Sequence, residues 1–555
     1  MRKEVKFMFL LTGLLLAFTM VNAVGAASYN ITDDSYGTYF NASGYINDTN
    51  IRAGDVLDLY GTINNKNMYI DRPLNLTSTS KTGKLVNGTI TILSGGSGSN
   101  VTGLVISNDN QNGIILEGAN NSEISNNTIS ANQKEESYGI YLNEANNNKI
   151  LGNKINTTGD KVTHGIFLDE SSGNEIRLNE IQTTGNVPES DVFNLEFPTL
   201  GIYLRNSQNN SILQNTINTA AENNSVAGVN LYYNSNDNKI TDNMVTTTGN
   251  GNVYGLTIYQ CIKPSSMDSI STGNNFSRNS VITTGKGYSN GINLGWYSYN
   301  TTVSDNDVVT SADDYAYGLV MIGSFNSNIN ENNFTTESNI NYGATLEDSD
   351  NNSFVENDFT GTGNYSIGTA LYGSDNNIIS KNKVSVKGNA DADPETIYEH
   401  SDPIPATNVG VYLVHSSENN IVDSNSVITN GEYAVNASKA VNTVIINNYL
   451  VSGSNYGDEA VASGSGDTVA DNYGEALVDD NVGSIINVQQ LRTSFRNFKE
   501  GNKSSVPSAG AIEVTNRSTV PMKNTGMPLT GLWAAVLSIL GGMAVSKRNF
   551  GKGSN

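Results

Sequence analysis

One string of residues recurs along this chain, and its recurrence decides what the chain can fold into. Tyr138 to Gly159 reads YGIYLNEANNNKILGNKINTTG, and His164 to Gly185 reads HGIFLDESSGNEIRLNEIQTTG. The two align without a gap, Gly139 on Gly165 and Asn153 on Asn179. The opening glycine returns at Gly113, Gly139, Gly165, Gly201, Gly228, Gly255, Gly291, Gly318, Gly343, Gly368 and Gly410, with Ala434 once in its place. Most intervals are about 24–27 residues, the period of a solenoid, in which each unit buries its apolar face only on the next. The longer intervals hold insertions at 186–199, 261–273 and 389–407.

Within a unit the pattern is G-I-x-L, a polar turn, N-x-I, then N-x-I-x-T-x-G. Apolar and polar residues alternate, as in a short strand with one buried face. Ile140 and Leu142 point inward, then Ile150, then Ile155. Three short strands per unit, with corners of one to a few residues, rule out helices and hairpins. The chain is predicted to wind as an all-β parallel β-helix.

The asparagines mark one corner. Asn127, Asn153, Asn179, Asn215, Asn243, Asn279, Asn306, Asn332, Asn357, Asn382, Asn425 and Asn448 keep phase with the glycine. They are expected to occupy the left-handed backbone region at the corner, which Asn tolerates best after Gly. Stacked at ~4.8 Å, their amides would hydrogen-bond from coil to coil as a ladder. Asn174, in the polar turn, is expected to be solvated, so replacing Asn179 with Leu should destabilise more than replacing Asn174.

Composition agrees. Only 37 % of the 555 residues are hydrophobic, thin for stacked globular cores but enough for a narrow solenoid. Lys and Arg number 31 against 54 Asp and Glu, a net charge of −23. No nucleic acid is expected as a partner, because phosphate binding needs a basic face. Cys261 is the only cysteine, so no intrachain disulfide forms.

The repeat resembles the right-handed parallel β-helix repeats of NosD-type and carbohydrate-active surface proteins. The segments NASGYINDTNIRAGDVLDLYGTINNKNMYIDRPLNLTSTS (Asn41 to Ser80) and GTITILSGGSGSNVTGLVI (Gly88 to Ile106) are similar to the N-terminal region of adhesin-like cell-surface proteins of methanogenic archaea. That resemblance spans roughly residues 28–455 and implies a surface location.

Both ends agree with export. Residues 1–27 read as a signal peptide: a basic start, an apolar run from Phe7 to Val21, and small residues at Val24 to Ser28. Residues 28–106 are assigned to the N-terminal cap and first coils, 107–453 to the repeats, and 454–526 to a final cap and stalk. Residues 529–546 are expected to cross the membrane as a helix, with the basic tail 547–555 inside. MPLTG at Met527 to Gly531 resembles a wall-sorting signal with Met in the first position; a plain membrane anchor is the reading preferred.

Chemistry is sparser. Counting two and four residues on from each glycine puts Tyr141, Phe167 and Tyr203 in one outward column, and Asn143, Asp169 and Arg205 in another. Glu117 precedes the second column. Ring faces beside amide, acid and guanidinium groups suit carbohydrate. If the face binds carbohydrate, Phe167→Ala is expected to weaken binding while leaving folding nearly intact, because an outward side chain buries little of the core; the competing reading is an ordinary outer face with cross-strand ladders. No catalytic residue is assigned; a lyase or hydrolase using Asp169 is the enzymatic alternative. Asp391, Asp393 and Glu395 in the longest insertion are candidate calcium ligands. No other cofactor is expected, and the NosD resemblance finds no Met/His cluster for copper. Asn-x-Ser/Thr sequons occur throughout and offer sites for glycosylation. The function expected is a cell-surface, adhesin-like rod, tethered at its C-terminus, that binds carbohydrate of the cell wall or of a host or neighbouring cell, or binds surface proteins. A structural envelope protein with no ligand is the third reading.

Overall fold

The computed structural model describes residues 26–185, 198–222, 225–259, 270–295, 298–389 and 408–476, with the short strands Tyr398–Glu399 and Asp402–Pro403. The signal segment up to residue 25, Asp391, Asp393 and Glu395, the stalk beyond 476, and the apolar run 529–546 lie outside these residues. Among the described residues no helix is long and apolar enough to cross a membrane. The chain divides into two units, 1–488 and 489–555, and the described residues belong to the first.

Each repeat gives three strands. In the quoted unit they are Glu136–Asn143, Lys149–Leu151 and Lys154–Gly159. Corresponding strands of successive coils pair in parallel, so three long sheets run along the solenoid axis. Among the described residues the sheet containing the repeat glycines (the glycine sheet) has 15 strands, the short corner sheet 17, and the sheet carrying the threonines (the threonine sheet) 15. Register follows the sequence phase without a slip: Ile140 pairs with Ile166, Ile150 with Ile176, Ile155 with Ile181. These isoleucines are fully buried and form one continuous core with their counterparts in other coils. Alternation therefore sets the interior: one face of each strand in, the other out.

The glycine is required by close approach. A Cβ on Gly165 would lie 2.4 Å from Ile181 Cγ2 and 2.6 Å from the Gly201 carbonyl oxygen. The glycine strand lies that close to the threonine strand and to the next coil, and only a bare Cα leaves room.

The asparagine ladder is present, but its geometry corrects the expectation for the corner. The left-handed residue is the one before each asparagine: Gly152 (φ 61), Leu178 (φ 58) and Gln214 (φ 53) precede Asn153, Asn179 and Asn215. The asparagine itself must turn its side chain into the core, and the left-handed residue ahead of it aims it there. Asn179 donates through Nδ2 to the Ile150 carbonyl at 2.8 Å and to Asn215 Oδ1 at 3.0 Å. Its Oδ1 accepts the backbone N–H of Asn153 at 2.9 Å and Asn153 Nδ2 at 3.0 Å. Both donors and both acceptor sites of the amide are used. Rung after rung repeats this from Asn127 to Asn448. Beyond the expected last rung, Asn448 donates to Asn472 and Asn472 donates to the Asp458 carboxylate at 2.7 Å.

Asn174 is also corrected. It is not solvated: it is buried to 1 %, like Asn179. Its Nδ2 reaches the Ala145 carbonyl and Asn210 Oδ1, and its Oδ1 accepts the Asn148 N–H. It belongs to a second buried amide ladder at the other end of the corner sheet.

Coils are regular from Val56 onward. The N-terminal end of the core is closed by the short helix Tyr36–Tyr39 and by Phe40, Ile46 and Ile51, all packed into it. Tyr36 and Phe40 stack at 4.8 Å. At the other end, Val461–Ala462 and Thr468–Ala470 add a last coil onto Val435–Asn436 and Val444–Ile446.

Candidate functional site

The long insertions all join the glycine sheet at its edges. Segment 186–197 precedes the strand Thr199–Arg205, and 260–269 follows Val253–Ile258. The outer face of this sheet is therefore the place to look for a site.

The structure brings together the residues chosen from the sequence. Tyr141 pairs with Phe167 and Phe167 with Tyr203; Asn143 pairs with Asp169 and Asp169 with Arg205. Register thus survives the insertion between Asp169 and Arg205. The rings stack along the axis, Tyr141 on Phe167 at 5.0 Å and Phe167 on Tyr203 at 4.9 Å, nearly parallel. Tyr138 and His164 pack around them from the neighbouring outward column. The strand spacing itself is close to the centroid separation of two offset-stacked rings, so equivalent positions on adjacent coils stack with little adjustment.

Stacking changes what these rings offer. Phe167 has its faces covered by its two neighbours and is only 5 % exposed. It is a packed residue of the outer layer, not a free platform, and Phe167→Ala is not neutral for folding. Tyr141 and Tyr203 are half-buried. Burial, with the Asp169 charge second, pushes the Tyr141 phenol up to about 12.

Asp169 is held. Arg205 Nε donates to its Oδ1 at 2.7 Å and Nη2 to its Oδ2, a fork-to-fork pair. Hydrogen bonding to Asp169 raises the Arg205 pKa above its ordinary value. Both Asp169 oxygens are thus engaged by one residue, and the next carboxylate of the column, Glu117, sits two coils away and accepts Asn143 Nδ2 at 2.8 Å. Arg205 also lies over the Phe167 ring, 5.3 Å from its centroid.

Three residues that continue the aromatic column were not singled out from the sequence. Tyr203 pairs with Asn230, Asn230 with Thr257, and Thr257 with Asn293. All three are buried, and Asn230 Oδ1, Thr257 Oγ1 and Asn293 Oδ1 have no hydrogen-bond partner among the described residues. Counting two on from Gly228, Gly255 and Gly291 would have found them, but small polar residues do not stand out in a chain full of them. Tyr232, paired with Arg205, and Tyr233 after it were likewise passed over. Tyr232 lies 6.3 Å from the Tyr203 ring.

Among the described residues no three His, Cys, Asp or Glu side chains gather as a metal site.

The chain is a right-handed parallel β-helix repeat protein: the family model described as "Right handed beta helix region" matches residues 84–245. The model described as "Periplasmic copper-binding protein (NosD)" matches residues 192–408. Copper chemistry does not fit the described residues of that stretch, where Met321 is sealed in the core and Met244 lies on the outer side of the threonine sheet. No curated protein sequence matches the chain. Among solved structures it is similar to the A-module of the mannuronan C-5 epimerase AlgE6 of Azotobacter vinelandii, at 14 % identity, covering 66 % of this chain and 90 % of that one, TM-score 0.40. It is similar to a tailspike protein mutant of E. coli bacteriophage HK620, at 14 % identity over 75 % and 70 %, TM-score 0.41. The periplasmic alginate epimerase AlgG is matched at 13 % identity over 81 % and 84 %, TM-score 0.32. Similarity at this level speaks to neither activity nor ligand.

Proposed function

We propose that this chain is an exported, adhesin-like cell-surface protein that binds carbohydrate on the outer face of its glycine sheet, tethered by the apolar run near its C-terminus. The observation that carries the reading is the outward column itself. It passes from stacked rings at Tyr141, Phe167 and Tyr203 directly to Asn230, Thr257 and Asn293, whose buried oxygens lack partners among the described residues. An unpartnered buried acceptor or hydroxyl costs about 1–3 kcal/mol, and a ligand rich in hydroxyls relieves that cost. Sugars carry hydroxyls and apolar ring faces together, and the half-buried Tyr141 and Tyr203 at the two ends of the stack, Tyr203 next to these oxygens, suit both. The basic and apolar N-terminal segment supports export, as does the periplasmic family whose model matches part of the chain. The locked Asp169–Arg205 pair favours binding over catalysis.

A glycan array with the purified protein, run beside a sugar-release assay, tests this. Thr257→Val, which keeps shape and removes the hydroxyl, should weaken binding severalfold without lowering stability. If the native protein holds no saccharide, the reading fails and the envelope scaffold stands. Release of sugar that Asp169→Asn abolishes would establish the enzyme instead.

A further inference from the structure

Beside this column the chain carries one residue too many. After the glycine strand, successive coils turn through a single left-handed residue: Glu144 (φ 49), Glu170 (φ 48), Asn206 (φ 47). Serines fix the alignment of the rest of the corner, since the Ser171 N–H donates to Ser207 Oγ and the Ser207 N–H to Ser235 Oγ. Arg205 pairs with Tyr232, so the next coil places two residues, Tyr233 and Asn234, where its predecessors place one. Both are left-handed, at φ 44 and φ 50. Tyr233 is the only Tyr, Phe or Trp among the described residues in that region, where a bulky side chain is a real outlier. The surroundings hold it there: Asn206 N–H donates to the Tyr233 carbonyl at 2.9 Å, Asn234 Nδ2 to Asn206 Oδ1, and Asn236 Nδ2 to Asn234 Oδ1. The ring gains no burial from this strain, being 46 % exposed. The same two-residue left-handed corner recurs at His415–Ser416; what sets Tyr233 apart is that the position holds a large ring, shown to solvent beside the outward column, and that choice of side chain is accounted for by the ring's use.

We propose that Tyr233 is the specificity-determining platform of the carbohydrate site and that its ligand is a neutral pyranose chain. This rests on the carbohydrate reading above. A pyranose offers one apolar face to an exposed ring, and Tyr203, Tyr232 and Arg205 adjoin Tyr233 along the same strands. Neutrality follows from charge. Arg205, the cation beside these rings, is already neutralised by Asp169, and the chain as a whole carries −23. A polyanion such as a polyuronate meets net repulsion there.

The test uses an array of linear neutral oligosaccharides with a polyuronate hexasaccharide as the charged arm. Tyr233→Asn, a residue the left-handed region accepts, should weaken neutral-glycan binding at least tenfold while the urea midpoint holds or rises. Tyr233→Trp should retain binding. Tyr288→Asn, which alters another exposed tyrosine on a different coil, should change nothing. Native-like binding by Tyr233→Asn overturns the inference and leaves the carbohydrate reading standing. A lowered urea midpoint for Tyr233→Asn makes the tyrosine a structural residue and also overturns it. Preference for the polyuronate refutes the neutral class, and no binding by the native protein removes both the inference and the reading beneath it.

Discussion

Replacing Asn179 with Leu should be among the most damaging single changes in this protein. The substitution keeps the volume roughly and removes the amide. It strands the Ile150 carbonyl, the Asn153 backbone N–H and one Asn153 amide hydrogen, while Asn215 Oδ1 keeps the backbone N–H of residue 179. At about 1–3 kcal/mol for each buried orphan, the loss centres near 6 kcal/mol. Burying the leucine side chain offsets about 2 kcal/mol, leaving a net loss of about 4 kcal/mol. Asn174→Leu strands only the Ala145 carbonyl and the Asn148 N–H, so the same arithmetic gives about 2 kcal/mol. Asn156 points outward on the threonine sheet and is exposed; its replacement by Leu should stay within ~0.5 kcal/mol. Urea unfolding followed by far-ultraviolet circular dichroism gives all three midpoints, with the slope checked for loss of cooperativity along the repeats. An Asn179→Leu midpoint indistinguishable from that of Asn156→Leu, at unchanged slope, would refute the claim that the amides hold the coils in place.

Phe167→Ala removes two stacked contacts from a residue that is 5 % exposed. It should lower stability by about 3 kcal/mol, the low end for a buried aromatic, as read from the same urea midpoints. Asp307 is raised above the ordinary aspartate range by burial, opposed by a hydrogen bond from Asn333. A carboxyl raised in the folded state binds its proton more tightly there than in the unfolded chain. Its contribution is therefore present at low pH and is lost as pH rises from ~4 through the raised value. Asp307→Asn keeps an acceptor for Asn333 and should flatten this part of the stability–pH curve, while raising stability at neutral pH.

The solenoid was legible because its determinants are periodic. Glycine, isoleucine and asparagine recur in phase, and the coils pair in the register that phase dictates. The outward column was found by the same counting, including Asp169 beside Arg205 across an insertion. What sequence reasoning missed was directional. Periodicity places Asn179 at the corner but does not say whether the corner's left-handed residue is Asn179 or Leu178. Nor does it say whether an outward ring shows its face to water or to the next ring; that depends on the ~4.8 Å coil spacing acting on the side chain, as at Phe167. Tyr233 was hidden for a different reason. A single extra residue at a corner barely alters the repeat interval, and its strain exists only in the folded backbone.

A stack of strands with identical rungs has no built-in reason to stop, and the same repeating geometry in other settings grows fibres. Here every rung hands its backbone N–H and one amide hydrogen toward the C-terminal coil, the other amide hydrogen going back to a carbonyl of the preceding coil, so the column behaves as a template with a growing end. That end is met by Asp458, which accepts both the backbone N–H and Nδ2 of Asn472. A carboxylate takes hydrogen bonds and, when ionised, has none to pass on. A further rung, whether from the same chain or from a second molecule docking head to tail, would find the donor sequence already terminated and a negative charge in its path. The last described coil thus carries a terminator for its donor ladder, a single aspartate at the end of the column of repeats.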